Sequence, residues 1–329
     1  MAESLINSIA RLRVIEKRLL TKETVGRLLA APGYAECLKI LTEAGYGEGA
    51  RGDDSDEIEA LTRASLREAY ALTDELMPKR FASVTNVFRM RHDIINIKLL
   101  YKLRMRGAEL DSASLDPGGV YDEKLLREAV KKGDYSMLPK ELSDALEELD
   151  VSTYKDPDPM AVSCGVDNAF IRYARGLYNP FVREYFAAFS DFTNLSAIAR
   201  GFSTDRLLPA GALSEDTLSQ IAENIKENPE KIPAIIKSPL ETSPLKEKLR
   251  DSFSEYLRTG RTAAIEKARD EYLISLASER RSDIDSPAPI VGYLLARERE
   301  AEVVRLILTA KRSGISTEAL EERSMALYG

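Results

Sequence analysis

Three stretches of this chain, about a hundred residues apart, repeat one pattern, and that repetition limits the fold more than any other feature. They read FRMRHDIINIK over residues 88–98, FAAFSDFTNLS over 186–196 and LAREREAEVVR over 295–305. In each, an acid (Asp93, Asp191, Glu300) is followed three positions later by Asn96, Asn194 or Val303, and then by an aliphatic residue. A glycine stops each stretch: Gly107, Gly201 and Gly314. The separation from acid to glycine is 14 residues in the first and third copies and 10 in the second. The spacing between copies is far too long for a thin solenoid. It predicts three domain-sized units of one kind, placed at residues 1–113, 114–212 and 213–329 of the 329-residue chain.

The apolar spacing inside these units is helical. Val84, Phe88, Ile95, Leu99 and Leu103 mark one face, which Val87 and Ile94 widen; Leu142, Leu146 and Leu149 follow Pro139, and Val303, Val304, Ile307 and Leu308 repeat the pattern. Alternating strand patterns are absent over any useful length, and Pro and Gly fall where helices should stop. The expected class is all-α.

Several chemistries are disfavoured by what the sequence lacks. With one histidine, His92, and two isolated cysteines, Cys37 and Cys164, it has no set for a His/Cys zinc site. It has no GxxxxGK[ST] loop and no GxSxG elbow. The net charge of −7 argues against a surface built for nucleic acid. Two cysteines are too few for a disulfide framework, so a reducing cytoplasmic setting is expected, and no window resembles a membrane span or a secretory leader. Neither a cofactor nor catalysis is expected of this chain.

The repeated residues have a structural reading. Asp93 and Asn96, like Asp191 and Asn194, stand at i and i+3 on one helix face, where they can bond backbone amides of a neighbouring loop and fix how one helix leads into the next; Glu300 takes the acid's place in the third copy. Gly107, Gly201 and Gly314 read as helix C-caps. Between residues 79 and 106 lie eight cations and a single acid, Asp93. Arg89, Arg91, Lys98, Arg104 and Arg106 are therefore candidate partner contacts, weighed against a solvated face paired within the fold. The acidic run Asp53, Asp54, Asp56 and Glu57 resembles half of a metal-binding motif of helical synthases, but reads better as a loop capping the next helix.

In their order along the chain, these features resemble the C subunit of the A/V-type rotary ATPases, whose eukaryotic counterpart is the d subunit. The carriers are FRMRHDIINIKLLYK at 88–102, LLPAGAL at 207–213 and EAEVVRLILTAKRSGIS at 300–316, with PGYAECLKILTEAGYG at 32–47 and IEKARDEYLISLA at 265–277. The resemblance implies three helical domains arranged as a funnel around a pseudo-three-fold axis. It implies a non-catalytic central-stalk component that receives shaft subunits of the D and F type and rests on the membrane proteolipid ring, peripheral to the membrane on its cytoplasmic face. ATP would be made or hydrolysed elsewhere while this chain passes torque for proton or sodium transport. The rivals are an unrelated helical scaffold and a metal-dependent helical enzyme using the acidic run. Mg²⁺ separates the last from the rest: the melting temperature is expected to stay unchanged on adding it, and a clear rise in a thermal-melt assay would favour the enzyme.

Overall fold

The computed structural model describes residues 5–47, 57–112, 114–153, 158–237, 243–315, 320 and 326–328. Among them there are α-helices and short 3-10 turns and no strand. A leading helix α1 (Leu5–Ile15) precedes two rounds of two shorter and two longer helices and a third round with one more long helix. The first round is α2 (Lys22–Ala30), α3 (Tyr34–Glu43), α4 (Glu57–Leu76) and α5 (Ala82–Met105). The second is α6 (Glu123–Lys132), α7 (Lys140–Thr153), α8 (Pro159–Gly176) and α9 (Pro180–Ala199). The third is α10 (Glu215–Glu227), a single turn α11 (Ile232–Ile236), α12 (Pro244–Thr259), α13 (Ala263–Glu279) and α14 (Ala288–Arg312).

Local chemistry starts these helices where the sequence supplies a capping side chain. Thr21 Oγ1 accepts from Thr24 N at 3.1 Å, Asn179 Oδ1 from Val182 N at 3.1 Å and Ser214 Oγ from Thr217 N at 3.1 Å. Pro180 follows the Asn179 cap, where the missing N–H is not needed.

By contact the chain forms two compact units. One joins Met1–Thr85 to Asp270–Gly329; the other is Asn86–Arg269. In the first, α14 packs on α4, α3 and α1. Its core sets Leu28, Cys37, Ile40, Leu41 and Ile58 against Val303, Val304, Ile307 and Leu308, with Leu327 from the C-terminal end. In the second, α7 lies on α8, α8 on α9 and α9 on α10 and α12. Phe88 is buried in it, with ring centroids 5.0 Å from Tyr185, 5.4 Å from Phe186 and 5.9 Å from Phe181. Farther along α5 the Tyr101 ring stacks on Tyr135 at 6.0 Å.

The face expected for α5 needs correction. Val84, Val87, Phe88 and Ile94 are buried, but Ile95 is 53% exposed and Leu99 37%, and Leu103 is half-buried. The buried side instead carries Met90, Ile94, Ile97, Leu100 and Tyr101 together with the polar Asp93 and Asn96. A search restricted to apolar residues drops those two, and the apparent stripe rotates toward solvent. Leu142 and Leu146 are buried and Leu149 half-buried, while Val303, Val304, Ile307 and Leu308 are all core.

Phe88 has no exposed surface and touches three aromatic rings, so its removal leaves a void that rigid helices close poorly. Phe88→Ala is expected to cost about 3–5 kcal/mol, read as a lower denaturant midpoint; a shift below about 1 kcal/mol would mean the site collapses freely.

Candidate functional site: buried acids that hold loop backbones

The residues that repeat in the sequence all turn inward. Asp93, Asn96, Asp191, Asn194 and Glu300 are each at most 2% exposed. On α5, Asp93 Oδ2 accepts from Val120 N at 2.8 Å and Oδ1 from Tyr121 N at 3.4 Å. One turn on, Asn96 pairs both ways with the Asp116 backbone: Nδ2 donates to the carbonyl at 2.9 Å and Oδ1 accepts from the amide at 2.8 Å. Arg89 adds a third hold, donating to the carbonyls of Gly119 at 2.7 Å and Gly118 at 3.3 Å. His92 Nδ1 lies 2.9 Å from Asp116 Oδ2. Residues 89, 92, 93 and 96 share one side of the helix, and together they fix the turn that leads into α6. The backbone comes so close that a Cβ at Gly119 would collide with the Asp93 carboxylate.

The second copy repeats this with one exchange. Asp191 on α9 accepts from Gly211 N at 3.0 Å, Ala212 N at 2.7 Å and Leu213 N at 3.2 Å. Asn194 donates to the Leu208 carbonyl at 3.0 Å and accepts from its amide at 2.8 Å. The guanidinium that holds the loop carbonyls, of Ala210 and Pro209, comes here from Arg175 on α8. A Cβ at Gly211 would lie 2.6 Å from Asp191 Oδ1, so this turn too requires glycine.

The third copy differs in its partner. Glu300 on α14 accepts from the amide of Leu20, in the turn before α2, 280 residues away in sequence. Arg297 donates to Glu300 at 3.0 Å and to Ser65 Oγ at 2.7 Å. Val303 brings no amide to bond a loop and joins the apolar core of its unit.

Burial dominates the charge state of all three acids. It pushes the Asp93 carboxyl up to about 6 against the pull of the Val120 and Tyr121 amides, His92 and Arg89. It likewise pushes Asp191 up to about 6 against three backbone amides and Arg175, and Glu300 up to about 7 against Arg297 and the Leu20 amide. Each acid bonds the backbone of a different turn, and among the described residues no group of three His, Cys, Asp or Glu side chains is placed to hold a metal ion. What the arrangement does chemically is fix main chain.

The glycines and cations marked by the sequence also serve the fold. Gly107, Gly201 and Gly314 have φ of 66°, 83° and 66°, and the amide after each returns to a helix carbonyl, from Ala108 to Leu103, Phe202 to Ala197 and Ile315 to Ala310. Most of the basic candidates have partners within the fold. Arg89 holds the loop, and Arg91 donates to the Phe88 carbonyl at 2.7 Å. Lys98 bonds Asp167 at 2.6 Å, and Arg104 bonds Asp150 and the Val130 carbonyl. Arg106 is exposed. Asp53, Asp54 and Asp56 lie outside the described residues, and Glu57 accepts from the Tyr34 hydroxyl at 2.8 Å. Cys37 is buried and Cys164 half-buried; burial raises both thiols. Sequence reasoning marks the proline-glycine turns at 115–120 and 208–213 but misses the bonding role of Asp116, and it misses Arg175 and Leu20. An Asp ahead of Pro-Gly was a readable turn signal for Asp116, whose Oδ1 accepts from Gly118 N at 2.8 Å. Nothing local marks the other two.

The raised carboxyls give a signed pH dependence. Asp191 moves from an ordinary 3.8 to about 6, so the folded chain keeps a proton that the unfolded chain releases across that interval. The stabilisation is fully present below pH 3.8 and is lost as pH rises through 6. Asn does not titrate. Relative to Asp191→Asn, the wild-type chain is expected to lose on the order of 3 kcal/mol of unfolding free energy between about pH 4 and 7 in parallel denaturant titrations. A difference independent of pH would show that Asp191 is not desolvated.

The chain is similar to known proteins along nearly its whole length. The signature of the ATP synthase (C/AC39) subunit family matches residues 8–323. The C subunit of the V-type sodium ATPase of Enterococcus hirae is 24% identical over 335 residues, covering 98% of each chain. The C subunit of the A-type ATP synthase of Methanothermobacter thermautotrophicus is 26% identical over 350 residues, covering 96% of this chain and 86% of that one. The C subunit of the V-type ATP synthase of Deinococcus radiodurans is 23% identical over 335 residues, covering 96% and 90%. The match of that signature to residues 8–323 makes this chain a member of the ATP synthase (C/AC39) subunit family.

Proposed function

We propose that this chain is a non-catalytic rotor component of an A/V-type ATPase, a socket that joins the central shaft to the membrane proteolipid ring and passes torque between them. Its partners are shaft subunits of the D and F type and the ring, and it sits at the cytoplasmic face without spanning the bilayer. No helix among the described residues is long and apolar enough to cross a membrane, in keeping with a peripheral seat. The proposed body is three helical domains, residues 1–113, 114–212 and 213–329, closed around a central hollow.

The observation that carries this reading is the recurrence of acid-held turns. α5 holds the turn before α6, α9 holds the turn before α10, and α14 holds the turn before α2 through Glu300 and Leu20. In each round the last long helix thus secures the turn that leads into a short one. Load makes such fastening useful. Moving one charge through 100 mV is worth about 2.3 kcal/mol. A few ions per ATP therefore strain the coupling by an amount comparable to the roughly 5–15 kcal/mol that holds a domain together. Turns pinned by buried carboxylates yield little under that load. Of the cations offered as partner contacts, Arg106 keeps that role best, because Arg89, Arg91, Lys98 and Arg104 serve the fold.

Removal from the assembled complex tests the reading. A complex stripped of this chain is expected to keep ATP hydrolysis in its head while losing ion transport, and added chain should restore transport. Undiminished ion pumping without it, or hydrolysis abolished with it, would overturn the proposal.

A further inference from the structure

α5 has two apolar sides, and only one is fully used. The side bearing Val87, Met90, Ile94, Ile97 and Tyr101 is buried throughout. The other bears Phe88, Ile95, Leu99 and Leu103. Its first turn is covered, since Phe88 lies under the α9 rings of Phe181, Tyr185 and Phe186. Beyond that cover the same stripe runs into the open, through the exposed Ile95 and Leu99 to the half-buried Leu103.

The open part has a definite shape and charge. Positions 95, 99 and 103 follow the i, i+4 spacing that raises a ridge able to seat in the groove of another helix. Lys102 and Arg106 flank it, and among the described residues neither has an ion-pair partner, whereas the neighbouring Lys98 is satisfied by Asp167 at 2.6 Å. In a chain of net charge −7 these are unspent positive charges beside unspent apolar surface.

Those features select the occupant. A second copy laid ridge on ridge would bring Lys102 and Arg106 against their like. A lipid surface is a poorer match, because an interfacial helix lays its broad apolar face into the bilayer, and that of α5, with Val87, Met90, Ile94, Ile97 and Tyr101, is buried within the protein. We infer that Ile95, Leu99 and Leu103 receive an amphipathic α-helix of another protein in the complex, whose apolar stripe is bordered by Asp or Glu facing Lys102 and Arg106. This inference rests on the proposed place of the chain in a rotary complex. Helix on helix excludes water from the ridge, and the flanking charges fix direction and register.

Photo-crosslinking in the intact complex tests it, with Ile95→p-benzoylphenylalanine and Leu99→p-benzoylphenylalanine as the two probes. Both positions are exposed, so helix content should match the wild type. The expected product is a crosslink to a helical segment of a different protein of the complex, with Asp or Glu next to the captured residue. Lys102→Glu combined with Arg106→Glu should lower the crosslink yield at least fivefold. Crosslinks to lipid alone, to a second copy of this chain, or to no protein, with the chain retained at normal level in the complex, would overturn the docking ridge and leave the rotor reading standing. Yield unchanged by the charge reversal would overturn the acidic character of the partner. Absence of the wild-type chain from the purified complex would instead overturn the rotor reading, and this inference with it.

Discussion

A carboxylate taken out of water must be compensated, and here the compensation comes mainly from main-chain amides. Asp191 accepts from three consecutive N–H groups, and Asp93 from two. Charge-assisted bonds of this kind are about twice as strong as neutral ones, and losing the acceptor would leave several amides buried and unmet. The loop is therefore held by need as much as by attraction. The Asn residues at 96 and 194 extend the hold further along the chain, and Arg89 and Arg175 take the carbonyls that face the other way. Glycine at 119 and 211 is then required, because the acid lies where a side chain would be. Helix, turn and following helix become one fitted piece, and the direction of each new helix is set by the one before.

Much of this could be read from the sequence because it repeats. One Asp-x-x-Asn pair on a helix says little, but three related stretches with glycine ends point to a shared structural duty; in the structure Asp93 accepts from the Val120 and Tyr121 amides and Asn96 from that of Asp116. Helical class was equally readable, since the apolar residues recur at three and four positions. Less readable was anything set by distant chain. That Glu300 meets Leu20, or that Arg175 on α8 does in one copy what Arg89 on α5 does in another, depends on packing that no local spacing encodes. The basic stretch around α5 also reads differently in three dimensions, because most of its cations point at carbonyls and acids of the fold itself.

The misread face of α5 has the same cause. A hydrophobic count lets apolar residues alone mark the interior, while the interior also holds Asp93 and Asn96. When buried polar groups are part of the design, the apolar stripe and the buried stripe part company. Leu99 and Ile95 end up on a surface that such a count assigns to the core. A helix carrying more apolar residues than its own unit can cover fits a chain that belongs to a larger assembly.

One compact unit draws its helices from both ends of the polypeptide, with α14 packed on α3 and α4. On the ribosome, the N-terminal helices emerge long before the segment that covers them. Val25, Leu28, Ile40 and Leu41 must wait in the open until Val303, Val304 and Ile307 have been made. Long-range closure of this sort slows folding and prolongs exposure to aggregation. The stretch 86–269 can settle first, and its compaction shortens the loop that the late helix must close to reach the early ones. A nascent chain cut short before residue 288 would thus be left with an uncovered apolar surface, a ready target for chaperones and proteases.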